Sequence, residues 1–223
     1  MKKEIKGVYA LKYGQSVLSE AQIFDGGASS AYRPISFTLY LIVTDDRRIL
    51  VDAGCDTMPG FEMEYFCSPV EILAQVGYSS LDITDLIITH AHHDHIEAAH
   101  YFANATVYIQ RDEYLRGRKY LSEGMRVVAF EDEYLLGPLK IVKIGGHTSG
   151  SSIVKFTVDG EDCVIVGDEC YIRECVERGI PTGSSKCPEK SRNFLKEYAH
   201  CRLLFCHDHG ILPNRNGYLK LDI

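Results

Sequence analysis

Four histidines and an aspartate crowd into six residues, His90-Ala91-His92-His93-Asp94-His95, directly behind the apolar run Leu86-Ile87-Ile88-Thr89. All nine histidines of the 223-residue chain lie between positions 90 and 209. By chance a His-x-His-x-Asp-His pattern arises in about one chain in a thousand of this composition. The window constrains the fold, because residues two apart in a chain leaving a strand project to the same side. His90 and His92 can therefore share one metal ion, while His93 points away. Asp94 and His95 follow as the chain turns into a helix, and offer a carboxylate and an imidazole to a neighbouring second ion. Nitrogen and oxygen donors of this kind suit zinc, and iron or manganese are also accommodated.

A solvated charged loop would account for the window alone, but it predicts no acid or histidine at other strand ends. Three are present. His147 lies in Gly145-Gly146-His147-Thr148-Ser149-Gly150 after the strand-like run Leu139 to Ile144, Asp168 follows Cys163 to Val166, and His207 follows Leu203 to Cys206. A fourth, Asp52, ends the run Arg48 to Val51 in Asp52-Ala53-Gly54, where it also suits a turn.

The remaining pattern is of mixed α/β type. Phe37 to Val43 and Arg48 to Val51 read as a hairpin around Asp45-Asp46, and Thr106 to Ile109, Val127 to Phe130 and Ile153 to Val158 as further strands. Helical spacing marks Ser68-Pro69 to Gly77, a stretch from Asp94 to Phe102, Arg111 to Tyr120 and Pro188 to Tyr198. No repeat or linker divides the chain, so residues 1–223 are expected to form a single domain. Basic residues number 24 against 31 acidic, a net charge of −7, which gives no footprint for nucleic acid or an anionic membrane surface. The basic N-terminus is followed by no apolar signal core and no run is long enough to span a bilayer, so a cytoplasmic protein is expected. The eight cysteines include no Cys-x-x-Cys pair and are expected to serve mainly as buried small apolar groups.

With these residues in order, the sequence resembles the metallo-β-lactamase superfamily: Asp52 in Val-Asp-Ala-Gly, His90-x-His92-x-Asp94-His95, His147 in Gly-His-Thr, Asp168 in Gly-Asp, and His207. The resemblance implies a four-layer αβ/βα sandwich with two divalent metal ions at one sheet edge. It implies a first ion held by His90, His92 and His147, a second held by Asp94, His95 and His207, and Asp168 bridging them. Asp52 would orient the site without ligating, and His209 is the fallback for His207.

Within the superfamily the chain looks most like the N-acyl homoserine lactonases, through Gly-His147-Thr-x-Gly-x-Ser, Tyr171 three residues after Asp168, and Cys206-His207-Asp208. With residues 208–223 following His207, a C-terminal domain like that of glyoxalase II or of flavodiiron proteins is not expected. The resemblance implies hydrolysis of a cyclic ester by a metal-bridging hydroxide, with Tyr171 bonding the substrate carbonyl and Asp94 protonating the leaving group. It also carries quorum quenching as a role and allows a homodimer. Phe61 and Phe66, in the Met- and aromatic-rich segment after Asp52-Ala-Gly, are expected to line a groove for an acyl chain. Ile96-Glu97-Ala98-Ala99-His100 stands where the family usually has glycines, and implies a differently shaped loop. A thioesterase of the same fold and a non-catalytic metal-binding protein are the alternatives.

Overall fold

Strand β1 (Ile5–Ser19) pairs antiparallel with β2 (Tyr32–Thr44) along almost its whole length, with a one-turn helix α1 (Glu20–Ile23) at the connection. The computed structural model describes residues 4–222. The expected hairpin follows, β2 turning at Asp45-Asp46 into β3 (Arg48–Val51). Next come α2 (Pro69–Gln75), β4 (Asp85–Ile88), α3 (His93–Ile96), β5 (Thr106–Gln110), α4 (Arg111–Gly117) and β6 (Arg126–Phe130). Then follow β7 (Glu133–Leu136), β8 (Leu139–Lys143), β9 (Ser152–Val158), β10 (Glu161–Ile165), α5 (Arg173–Arg178), α6 (Pro188–Tyr198), β11 (Arg202–Leu204) and β12 (Gly217–Lys220). They form two sheets, ordered β12-β1-β2-β3-β4-β5-β6 and β11-β10-β9-β8-β7.

Side-chain alternation sorts the core. On β2, Tyr40 and Ile42 join Val8 and Ala10 of β1 and Val154, Cys163 and Ile165 of the second sheet in one buried cluster between the sheets. Their neighbours Leu39 and Leu41 face the other way, into a cluster with Ile72 and Leu73 of α2. On the second sheet Ile153 and Val164 pack outward with Phe194, Leu195 and Tyr198 of α6. The layers are thus helix, sheet, sheet, helix, the expected αβ/βα sandwich.

Parallel register brings the motif residues to one edge. Val51 of β3 faces Ile87 of β4, so Asp52 and His90 leave adjacent strands together. In the second sheet Ile165 faces Leu204, and three residues beyond each lie Asp168 and His207.

The helix expected from Asp94 to Phe102 does not form as such. α3 stops at Ile96 and the chain continues as a 3₁₀ turn over Glu97–Tyr101. The bond that would extend it, from the Ala98 amide to the Asp94 carbonyl, has both partners diverted. Ala98 N–H donates to the Gly54 carbonyl at 3.0 Å, and the Asp94 carbonyl accepts from the Tyr13 hydroxyl at 2.9 Å. All eight cysteines are free thiols, five of them buried. No helix among the described residues is long and apolar enough to cross a membrane.

Candidate metal centre

The strand ends deliver two sets of donors that meet at Asp168. In the first set His92 Nδ1 lies 3.0 Å from His90 Nε2 and 2.9 Å from His147 Nε2. Asp168 Oδ2 lies 3.5 Å from His90 Nε2 and 3.3 Å from His147 Nε2. With zinc–nitrogen bonds near 2.0–2.1 Å, the edges of a coordination tetrahedron measure about 3.3 Å, so these atoms are spaced as the ligands of one ion would be. In the second set Asp168 Oδ1 lies 3.1 Å from His95 Nε2 and 3.0 Å from His207 Nε2. Asp94 Oδ2 stands 3.6 Å and 3.7 Å from the same two nitrogens.

Each set fits a divalent ion in its buried donors. His95 Nε2 and Asp168 Oδ1 are buried and face each other at 3.1 Å without an aligned hydrogen bond, so both are available to a cation between them. In three of the imidazoles the opposite ring nitrogen is engaged, which fixes tautomer and orientation as ligating histidines require, whereas His147 Nδ1 is buried without a partner. His90 Nδ1 meets Thr89 Oγ1 at 3.1 Å, His95 Nδ1 meets Asp52 Oδ2 at 2.7 Å, and His207 Nδ1 meets the Ser36 carbonyl at 2.9 Å. Asp52 also accepts from the Thr89 amide at 2.7 Å and its hydroxyl at 2.9 Å, so it holds His95 from behind. His93 turns away, its Nε2 2.6 Å from the Thr57 carbonyl.

Electrostatics divide the imidazoles. Burial drives the pKa of His90 well down and that of His147 down to about 4, leaving both neutral, the form that binds metal. Burial would also lower His95 and His207, but the carboxylates around them, Asp168 foremost, outweigh it and hold both above the ordinary histidine value. Burial opposes ionisation of Asp168, yet the surrounding imidazoles, His95 first, hold it well below the usual carboxylate range.

Tyr171 packs its ring against His147 and His207, with centroids 5.8 and 5.0 Å away. Burial pushes its phenol well above 10, so it remains a hydrogen-bond donor. Cys206 approaches Asp52 and His95 closely enough to form a third candidate group. Burial keeps its thiol protonated, however, and Asp52 and His95 already bond each other. His209 stays outside the donor groups that include His207. Phe61 and Phe66 stand 38% and 40% exposed on the segment after Asp52-Ala-Gly. That segment is tied to the histidine loop by His93 at Thr57, and by Glu97, whose carboxylate accepts from the Asp56 amide at 2.9 Å.

Two buried acids that hold the His147 loop escape the sequence reading. Glu169 accepts from the amides of Gly146 at 3.0 Å and His147 at 3.2 Å and from the Ser151 and Ser191 hydroxyls, so it fixes the His147 loop from below. Burial raises its pKa, although these donors oppose the shift. Glu113, on α4, grips the same loop from the other side. Position directly after Asp168 is the only sequence signal Glu169 carries, and Glu113 carries none.

The sequence profile of the Metallo-beta-lactamase superfamily matches residues 38–198. An N-acyl homoserine lactonase from a Bacillus species is 25% identical over 202 residues, covering 79% of this chain and 81% of the relative. A solved quorum-quenching N-acyl homoserine lactone hydrolase superposes with a TM-score of 0.83 at 20% identity, over 98% of this chain and 100% of that one. AidC, described as a dizinc quorum-quenching lactonase in complex with the product N-hexanoyl-L-homoserine, superposes with a TM-score of 0.72 at 15% identity, over 99% and 97% of the two chains.

Proposed function

Because the chain belongs to the metallo-beta-lactamase superfamily and is a metal-dependent hydrolase, we propose that it opens a cyclic ester, an N-acyl homoserine lactone or a related lactone, at two divalent cations. His90, His92 and His147 would hold one cation and Asp94, His95 and His207 the other, with Asp168 giving an oxygen to each. The observation that carries this reading is the division of Asp168, whose Oδ2 faces His90 and His147 while Oδ1 faces His95 and His207. A single ion would give that carboxylate no reason to serve two groups of imidazoles. Zinc is the cation we favour, supported by the nitrogen-rich donor set and by the dizinc relative.

Two such cations would supply Lewis acidity at the ester carbonyl and bring the pKa of water toward neutrality. The rest falls to the chain. Tyr171, kept protonated by burial, would donate to the carbonyl oxygen as negative charge gathers there. Asp94 would take the proton that water gives up as it adds to the carbonyl carbon, and return it to the ring oxygen as the carbon–oxygen bond breaks. One water is consumed and one hydroxy acid leaves. Phe61 and Phe66, partly exposed on the tethered segment, would meet the acyl chain. The reading extends to a cytoplasmic enzyme that quenches diffusible lactone signals.

The test is acid release followed by pH-stat over acyl homoserine lactones, simple lactones and a thioester. One acid per lactone ring opened is the expected result. Turnover of the thioester alone would move the chemistry to that of glyoxalase II and overturn the lactone assignment.

A further inference from the structure

The first donor set is split between two loops from different sheets, one after β4 with His90 and His92, the other between β8 and β9 with His147. Their roots are linked where the Ser152 amide donates to the Thr89 carbonyl at 2.9 Å. Farther out, besides the 2.9 Å contact between His92 Nδ1 and His147 Nε2, a side chain from neither loop links them. Glu113 of α4 is 1% exposed. Its Oε2 accepts from the Ala91 amide at 2.9 Å, between His90 and His92. Its Oε1 accepts from the Thr148 hydroxyl at 2.7 Å and the Gly150 amide at 3.0 Å, on either side of Ser149. Arg116, one turn along α4, donates to the same Oε1 at 2.9 Å and to Ser149 Oγ at 2.8 Å. The fit is close: a Cβ on Gly150 would meet Gln110 Oε1 at 2.2 Å and Glu113 at 2.9 Å.

We infer that Glu113 is a positioning residue of the metal centre, a brace that sets the distance between His90/His92 and His147 and thereby the affinity of the first donor set for its cation. A buried carboxylate that takes donors from two loops holds both in one geometry, since releasing either loop strands a buried charge or a buried amide. The second set has its own supports, Asp52 on His95, Tyr13 on the Asp94 carbonyl and Ser36 on His207, and Glu113 bonds none of these. The inference rests on the two-cation reading above.

Zinc titration by calorimetry in two backgrounds separates a brace from a general structural role. In His207→Ala only the first set is complete, and adding Glu113→Ala is expected to weaken zinc binding by about ten- to a hundredfold. In His92→Ala only the second set is complete, and Glu113→Ala is expected to leave zinc affinity unchanged. Equal losses in both backgrounds, or none in the first, overturn the brace. Glu113→Gln keeps one acceptor oxygen and turns an N–H against the other loop's donor, so the same pattern at smaller size is expected. Amide exchange in the chelator-treated chain reads the same link without metal: the Ala91 and Gly150 amides should exchange faster in Glu113→Gln, and unchanged protection at both overturns the inference. Zinc stoichiometry of the unaltered chain tests the two-cation reading separately.

Discussion

Asp52 holds a backbone conformation that side chains avoid, with φ at 63°. A non-glycine residue in this left-handed region costs roughly 1 kcal/mol or more, which persists only where surrounding bonds over-determine it. Here those bonds run from the Asp52 carboxylate to Thr89 and His95, so the strained backbone and the aimed histidine form one device. Asp52→Asn keeps the left-handed turn accessible but removes the charge, and is expected to lower zinc affinity by about tenfold or more in a competition assay with a chromophoric chelator. Tyr171→Phe is expected to leave metal content unchanged and to lower kcat by about a hundredfold, the effect of deleting one donor to a developing oxyanion. An unchanged kcat would remove Tyr171 from the chemistry. The residues that converge at the centre were legible because donors come in spaced groups at the ends of apolar runs. Glu113 and Glu169 were not, because the backbone amides and hydroxyls they bind lie eighteen or more positions away, and no local pattern marks such a partnership.

Among elements, α6 and β3 match their expected bounds, since each is read from one strongly patterned face. β1, the longest strand among the described residues, carries no legible strand pattern in the sequence. Its alternation is hidden because both faces are covered, glycines interrupt it at 7 and 14 with register shifts beside them, and Lys12 sits fully buried where an apolar residue would be expected. Lys12 Nζ donates to Gln15 Oε1 at 3.0 Å and to the Leu212 carbonyl at 2.9 Å. Desolvation lowers its pKa from 10.5 to about 8. The native state therefore gives up this proton before the unfolded chain does, so between about pH 8 and 10.5 the unfolded chain binds more protons and stability rises with pH. Urea midpoints measured across that window should climb more steeply in the unaltered chain than in Lys12→Met; parallel curves would show that Lys12 does not contribute. The helix after the histidines is shorter than its spacing implies for the opposite reason, since Ile96, Ala99 and Phe102 keep helical spacing while tertiary partners at Gly54 and Tyr13 take the hydrogen bonds.

At the scale of the molecule, the second sheet and the first meet at their strand ends through the donors of the centre, so cations bound there would couple to sandwich stability. An ion present at about a thousand times its Kd adds about 4 kcal/mol to the folded state. For a chain of this length that is roughly 10 °C in Tm for each ion. Chelation is expected to lower Tm by at least that amount while far-ultraviolet circular dichroism keeps its native shape, because the hydrophobic clusters between and outside the sheets do not depend on the ions. A Tm indifferent to chelation would mean that the donors are not holding cations in the folded chain. The central claim, hydrolysis at two cations shared by Asp168, is tested most directly by titrating zinc into the metal-free chain and following lactone turnover at each addition. The account predicts activity that rises to a plateau at two equivalents per chain; a plateau at one equivalent, or turnover that does not depend on added metal, would contradict it.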